Sequence, residues 1–139
     1  METRKYLAIL LTFALLGGII SCGKYEEGPA LSLRTKKARI SNNWKPVKVI
    51  SNFIEDTAAL NKETRVEFTR DNVFRIFIDS SEAWVNGEWE FSEDKERVIG
   101  TYAIPFAGEF KWDRKIIRLT VDEFWVERNN GNRVHYSPN

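Results

Sequence analysis

From Trp44 to the end of the chain, apolar and polar residues alternate with a period of two. The clearest stretch is 65–78, where apolar side chains occupy every second position on both sides of an Asp71-Asn72 turn. Successive side chains of a strand point to opposite faces of a sheet, so this pattern predicts a hairpin with one apolar face. The sequence therefore predicts an all-β chain.

Turn residues divide this pattern into about eight short strands. The strongest turn signal is Asn86-Gly87, because both residues tolerate a positive φ, and we predict a two-residue hairpin turn there. Further turns are predicted at 93–96 and 129–132, and a change of apolar parity near Lys115 predicts a bulge in one long strand over 110–121. Short connections between so many strands predict a small antiparallel up-and-down β-barrel, whose closure removes exposed strand edges.

The first 21 residues read as a secretion signal. Arg4 and Lys5 precede an apolar run over 7–20, which is shorter than the roughly 20 residues of a membrane-spanning helix. The run ends in Ile19-Ile20-Ser21-Cys22, which resembles the bacterial lipobox. We therefore predict that residues 1–21 are removed and that Cys22 carries the acyl chains, palmitate among them, of a lipoprotein. The alternative is an uncleaved signal anchor.

A tether and a barrel domain follow. Residues 22–31 contain two glycines and a proline, which predicts a flexible tether. Residues 32–139 form the predicted domain, which should fold as a monomer when the chain begins near Ser32. At its start, Leu33, Lys37 and Ile40 share one side at helical spacing, so we expect a short helix capped by Ser32 that closes one end of the barrel.

The charge balance excludes one class of partner, and the residue after Cys22 indicates a location. The chain has 21 basic and 20 acidic residues, and removal of a leader that contains Arg4, Lys5 and Glu2 leaves it neutral. A neutral domain lacks the electrostatic attraction that nucleic-acid binding needs. No acidic residue follows Cys22 directly, unlike the inner-membrane retention signal of enteric bacteria. We therefore expect an outer-membrane location, on its periplasmic or surface side.

Two regions resemble the small lipocalin-like lipoproteins of Gram-negative bacteria. Asn42-Asn43-Trp44-Lys45 lies at the first strand, where lipocalins have Gly-X-Trp, and the segment 117–136 looks like their last three strands. The resemblance implies a barrel that binds a small apolar ligand and in which Trp44 plugs the closed end. It also implies an arginine packed over that ring, for which Arg128 and Arg133 are both candidates.

Residues suited to catalysis or metal binding are few. His135, the single histidine, alternates with Val134 and Tyr136 and is predicted to face solvent. Glu88 and Glu90 have the spacing of a paired-acid hydrolase, but they alternate with aromatic residues, which favours a solvated outer face. We predict no catalytic residue, no metal site and no cofactor, and we keep a hydrolase as the third hypothesis.

Four aromatic residues are the candidates for lining a ligand cavity: Phe74, Trp89, Phe91 and Tyr102. Because Trp89 follows the predicted Asn86-Gly87 turn, we expect it near the mouth, at the end opposite Trp44. A barrel this small can instead be filled by its own side chains. Two hypotheses precede the hydrolase: a non-enzymatic envelope lipoprotein that binds a small apolar ligand or nothing, and a protein-interaction or inhibitor module.

Overall fold

The computed structural model describes residues 33–79 and 82–139, so the predicted leader, the tether, Cys22 and Ser32 lie outside the described part. Within that part the chain forms nine strands and two short helices. In chain order these are α1 (Lys36–Ile40), β1 (Asn43–Ser51), β2 (Ile54–Glu55), α2 (Thr57–Leu60), β3 (Val66–Phe68), β4 (Val73–Ile78), β5 (Ala83–Phe91), β6 (Arg97–Ile104), β7 (Gly108–Leu119), β8 (Phe124–Glu127) and β9 (Arg133–Pro138).

Eight of these strands close into an antiparallel barrel. From β3 to β9 each strand pairs with the next, and β1 closes the circle by pairing with β3 at its start and with β9 along most of its length. β2 pairs only with the far end of β1 and stands outside the circle. The predicted fold class, a small all-β up-and-down barrel, is confirmed.

The alternating strand directions give the barrel two different ends. We call one the α1 end, because it holds α1 together with the β3–β4, β5–β6 and β7–β8 turns. The other is the loop end, which holds the long segment 52–65 and the β4–β5, β6–β7 and β8–β9 connections. The segment 52–65 carries β2 and α2, so the loop end has the larger cover.

The prediction of a turn at Asn86-Gly87 is wrong, because β5 runs through both residues without interruption. Gly87 pairs with Phe74 on one side and Tyr102 on the other. A Cβ on Gly87 would collide with the carbonyl oxygen of Thr101. Glycine is therefore required here because two strands approach closely. The local sequence alone does not distinguish a glycine of this kind from a glycine in a turn.

Other local predictions are confirmed. Asn72 and Lys95 adopt φ values of 65° and 59° in the predicted turns after β3 and β5. The bulge in β7 appears as a register shift between Ile116 and Arg118, close to the predicted position at Lys115. It leaves Ile116 and its neighbour both buried, which explains the change of apolar parity in the sequence.

The N-terminal helix is shorter than predicted. It begins at Lys36, and the N-cap is Thr35, whose hydroxyl accepts a hydrogen bond from the Ala38 amide at 3.1 Å. Of the residues predicted to share its inner side, Ile40 is buried but Leu33 is fully exposed. The helix therefore closes the α1 end of the barrel with its last turn alone.

Candidate binding site inside the barrel

The interior at the α1 end is filled by aromatic rings. Phe68 stands at the centre, with ring centroids 5.3–5.9 Å from those of four other residues, Phe74, Trp89, Trp112 and Phe124. Glycine makes the space for this packing, since a Cβ on Gly100 would lie 2.7 Å from the Phe74 ring. This half of the interior is a packed core.

Trp44 completes this packing at the first strand. Its side chain is fully buried, its ring centroid lies 5.4 Å from that of Phe124, and its Nε1 donates to the Ile40 carbonyl oxygen at 2.7 Å. The two arginines considered for this ring do not lie near it. Arg128 and Arg133 flank the β8–β9 connection at the loop end, so the expectation that one of them covers Trp44 is wrong.

Trp89 also lies at the α1 end. Its Nε1 donates to the Thr69 carbonyl oxygen at 2.9 Å, and the Lys37 ammonium of α1 lies 5.9 Å from its ring centroid. The expectation that Trp89 marks the end opposite Trp44 is therefore wrong. The error has one physical source: β5 is unbroken at Asn86-Gly87, so Trp89 lies near the end of β5 and not at its beginning.

The other three cavity candidates are divided between the two ends. Phe74 is fully buried in the aromatic core. Phe91 packs against Trp89 at the α1 end, with ring centroids 5.3 Å apart. Tyr102 lies towards the loop end, where it stacks on Phe110 with centroids 5.6 Å apart and an interplanar angle of 22°.

The interior at the loop end is less completely covered. Ile78, Val85 and Tyr102 are only partly buried against the core, and Phe110 remains 40% exposed. Ala59 and Leu60 of α2 are also partly buried against the core. These side chains form an apolar lining that is open in part to solvent.

A buried ion pair joins the covering segment to the barrel wall. The side chain of Glu63, which follows α2, is almost completely buried and forms an ion pair with Arg128. The Tyr136 hydroxyl donates to Glu63 Oε2 at 3.2 Å. The segment 52–65 is thus tied to the wall formed by β8 and β9.

Burial keeps Tyr136 protonated. It raises the pKa of the Tyr136 hydroxyl to about 12, although the positive charges of Arg114 and Arg128 act in the opposite direction. A phenol in this state donates its proton in a hydrogen bond, which matches its contact with the Glu63 carboxylate.

Arg114 brings a second guanidinium to this region. It shares the inner face of β7 with Trp112 and Ile116 and pairs across the sheet with Val98. Its guanidinium lies 4.7 Å from the Trp112 ring centroid, and Nη1 donates to the Asp113 carbonyl oxygen at 2.9 Å. Burial lowers the pKa of Arg114 from its ordinary value, and Tyr136 and Asp113 partly offset this effect.

We call Glu63, Arg114, Arg128 and Tyr136 the interior cluster. It contains two guanidinium groups and one carboxylate. Three buried nitrogens in and beside it have no hydrogen-bond acceptor among the described residues: Nε of Arg114, Nε of Arg128 and Nε1 of Trp112. Buried donors normally find an acceptor, so this part of the barrel is suited to receiving one.

Sequence reasoning predicts none of the interior cluster for ligand binding: Arg128 is a candidate only to cover Trp44, Tyr136 has no site role, and Arg114 and Glu63 are not singled out. Arg114 could have been found, because it occupies an inward position of the period-two pattern between Trp112 and Ile116. Glu63 carries no such signal, since it lies in the irregular segment that leads into β3.

The candidates for catalysis lie on the outer surface. Glu88 and Glu90 are exposed there. His135 faces away from the core, as predicted, and stacks on Trp125 with ring centroids 4.1 Å apart. Among the described residues, histidine, cysteine and carboxylate side chains form no group of three or more that could hold a metal ion.

None of the helices in the described ranges is long and apolar enough to cross a membrane. Comparison of the sequence with models of known protein families and with curated proteins gives no match. The function has to be inferred from the barrel and its interior.

Proposed function

We propose that this protein is a non-enzymatic lipoprotein of the bacterial cell envelope whose lipocalin-like barrel binds a small apolar ligand. The observation that carries the proposal is the difference between the two halves of the closed barrel. Packed rings fill the α1 end, whereas the loop end keeps an apolar lining that is partly open. Ligand sites in proteins combine such a lining with a few polar groups, and the interior cluster supplies the polar groups.

The segment 52–65 provides the cover of this site. α2 packs Ala59 and Leu60 against the core, and the contacts of Glu63 with Arg128 and Tyr136 hold the segment in place. A ligand would enter between this segment and the other loop-end connections. Trp44 lies at the opposite end, which fits the role of a plug that the lipocalin resemblance implies.

The ligand proposal is tested with the purified protein. Native mass spectrometry should detect a small molecule that copurifies with the chain. A thermal-shift screen with fatty acids, sterols and haem-like rings should find at least one compound that raises the melting temperature, because a ligand that binds only the folded state stabilises it. The proposal fails if no molecule copurifies and no compound class shifts the transition.

We propose that the protein is attached to a membrane through the lipobox cysteine, on the basis of the sequence at 19–22. Each buried methylene contributes about 0.8 kcal/mol, so two or three acyl chains would anchor the barrel stably to a membrane. Metabolic labelling with a palmitate analogue should label the protein, and Cys22→Ser should abolish both the label and the membrane association. Ser21→Ala, which keeps a small residue before the cysteine, is the matched control. Equal labelling of Cys22→Ser and the unaltered protein would refute the anchor.

Two exposed phenylalanines favour a second candidate function, a protein-interaction module. Phe53 lies in the tight β1–β2 turn with φ of 65°, and Phe106 lies in the β6–β7 turn, also with φ of 65°. In the second turn the Ala107 amide donates to the Ile104 carbonyl oxygen at 3.0 Å, and Phe106 takes the position that normally requires glycine or asparagine.

Both phenylalanine rings are fully exposed at the loop end. A bulky residue in the left-handed region costs on the order of 1 kcal/mol, and such strain often marks a functional site. Beside Phe53, a surface groove of about 300 Å³ extends to the β8–β9 connection. A photocrosslinking residue at position 106 should capture a partner protein in intact cells, and Phe53→Asn should reduce the yield. Crosslinks to no protein would exclude this candidate.

A further inference from the structure

We infer that the interior cluster is an anion site and that the ligand is an amphiphile with a single carboxylate, of the fatty-acid class. The inference rests on the proposed ligand-binding function and adds the chemistry of the ligand's polar end. The carboxylate would pair with Arg114, and the apolar chain would lie along the loop-end lining.

The charges of the interior cluster favour an anionic ligand. The inward-facing cluster holds the guanidinium groups of Arg114 and Arg128, but only one carboxylate, that of Glu63. Glu63 already forms an ion pair with Arg128 and accepts a hydrogen bond from the Tyr136 hydroxyl. A buried charge is costly unless it is paired and hydrogen-bonded, so a second carboxylate beside Arg114 would stabilise the interior.

The hydrogen-bonding groups of the interior cluster favour a ligand with acceptor atoms. Three buried N–H donors in this region lack a hydrogen-bond acceptor among the described residues: Nε of Arg114, Nε of Arg128 and Nε1 of Trp112. Glu63 Oε1, which also lacks a hydrogen bond, is held in the ion pair with Arg128. The three donors favour a ligand that offers acceptors, and a carboxylate offers two oxygens with no proton of its own. Arg128 and Tyr136 of the same cluster already hold one carboxylate, that of Glu63.

The apolar lining extends from Arg114 towards the loop end. β7 runs from the loop end towards the α1 end, and its inward positions in this order are Phe110, Trp112 and Arg114. Arg114 therefore lies deeper in the barrel than Phe110. A span of four strand residues is roughly 13 Å, which suits a medium-length acyl chain that extends from Arg114 past Tyr102 and Phe110 to the loop end.

The test compares ligands that differ only in their polar end. The full chain, purified as cells process it and placed in phosphatidylcholine nanodiscs, is incubated with 11-(dansylamino)undecanoic acid, and empty nanodiscs give the background. Dodecanoate, dodecanol and dodecyltrimethylammonium then compete for the bound probe. Hydrogen bonds to a charged group predict that dodecanoate competes about tenfold more strongly than dodecanol, and that the cation competes least.

Two substitutions in β7 test whether Arg114 causes the preference for dodecanoate over dodecanol. Arg114→Met removes the guanidinium and keeps an unbranched apolar side chain, and it should reduce the ratio of dodecanoate to dodecanol affinity to about one. Arg118→Met is the matched control, because Arg118 lies on the outer face beside Glu123, and it should leave the ratio unchanged. Circular dichroism checks that both variants remain folded, and Arg114→Lys should restore part of the preference.

The outcomes separate the inference from the proposed function. Equal competition by dodecanoate and dodecanol, unchanged in Arg114→Met, would overturn the inference and leave an apolar ligand site in place. A preference for dodecanoate that persists in a folded Arg114→Met variant would also overturn it. Absence of competition by every compound, together with a negative ligand screen, would overturn the proposed function itself.

Discussion

The indole N–H groups inside this barrel have two different environments. At the α1 end the indole nitrogens of Trp44 and Trp89 both donate to backbone carbonyl oxygens. In and beside the interior cluster, the indole nitrogen of Trp112 and the Nε atoms of Arg114 and Arg128 are buried without an acceptor among the described residues. The same alternating pattern of residues builds both regions of the interior, so the difference lies in which inward positions are apolar, small or charged.

Within one small domain, different residues therefore serve the stability of the fold and the binding of a ligand. Close packing of apolar side chains with satisfied hydrogen bonds contributes most to the free energy of unfolding, and the Trp44 and Trp89 side chains have both. Buried charges and unsatisfied donors stabilise a fold poorly, but they recognise ligands well. Substitutions at the two ends should therefore differ in both size and kind of effect.

The largest effect is expected at the α1 end. Trp44→Ala removes a fully buried ring and its hydrogen bond to Ile40, and should lower the free energy of unfolding by about 3–5 kcal/mol. Urea unfolding followed by circular dichroism measures this change. Trp125→Ala is the control, because Trp125 lies on the outer face against His135 and its loss should cost less than about 1 kcal/mol. Equal losses for the two variants would remove the distinction between core and surface at this end.

The next effect concerns the interior cluster and depends on pH. Because burial raises the pKa of Tyr136 to about 12, the folded state keeps its proton while the unfolded state, with an ordinary pKa of 10.0, loses it. The stabilising contribution is therefore fully present below pH 10 and is lost as the pH rises towards 12. Between pH 9 and pH 11 the free energy of unfolding should fall by roughly 1.4 kcal/mol on account of Tyr136.

Tyr136→Phe isolates this contribution from the other groups that titrate in alkali. Urea unfolding at the two pH values should show a smaller decline for the variant than for the unaltered protein. Parallel declines for the two proteins would mean that Tyr136 is not held protonated inside the barrel.

The smallest effect is expected at the exposed turns of the loop end. Phe106→Gly relieves a positive φ at a fully exposed position, and should stabilise the protein by about 0.5–1 kcal/mol. Thermal unfolding by calorimetry can resolve this gain. A loss of stability would show that the Phe106 ring makes contacts within the domain.

The sequence predicts the fold better than it predicts the site, and individual residues show why. Alternation and turn residues are local signals, so they locate the strands, the turn at Asn72 and the bulge in β7. The use of Gly87 depends on the neighbouring strand, and local sequence therefore misassigns it. Glu63 contacts Arg128 and Tyr136 only in the closed barrel, and no local sequence pattern predicts these contacts.

Arg114 is the instructive intermediate case. Its position in the alternation of β7 already directs it inward, between Trp112 and Ile116. A charged residue at an inward position conflicts with local expectation, and conflicts of this kind are common at functional sites. A search for charged residues at inward positions would have identified the interior cluster in part.

The most direct test of the account is a titration followed through the five tryptophan indoles. Trp44 and Trp89 report on the α1 end, Trp112 on the interior beside Arg114, and Trp84 and Trp125 lie in other surroundings, with Trp125 on the outer face. In ¹⁵N-labelled protein, dodecanoate should shift the indole N–H signal of Trp112 and leave those of Trp44 and Trp89 unchanged. Saturable shifts of Trp44 or Trp89 with none at Trp112 would contradict a ligand site at the loop end.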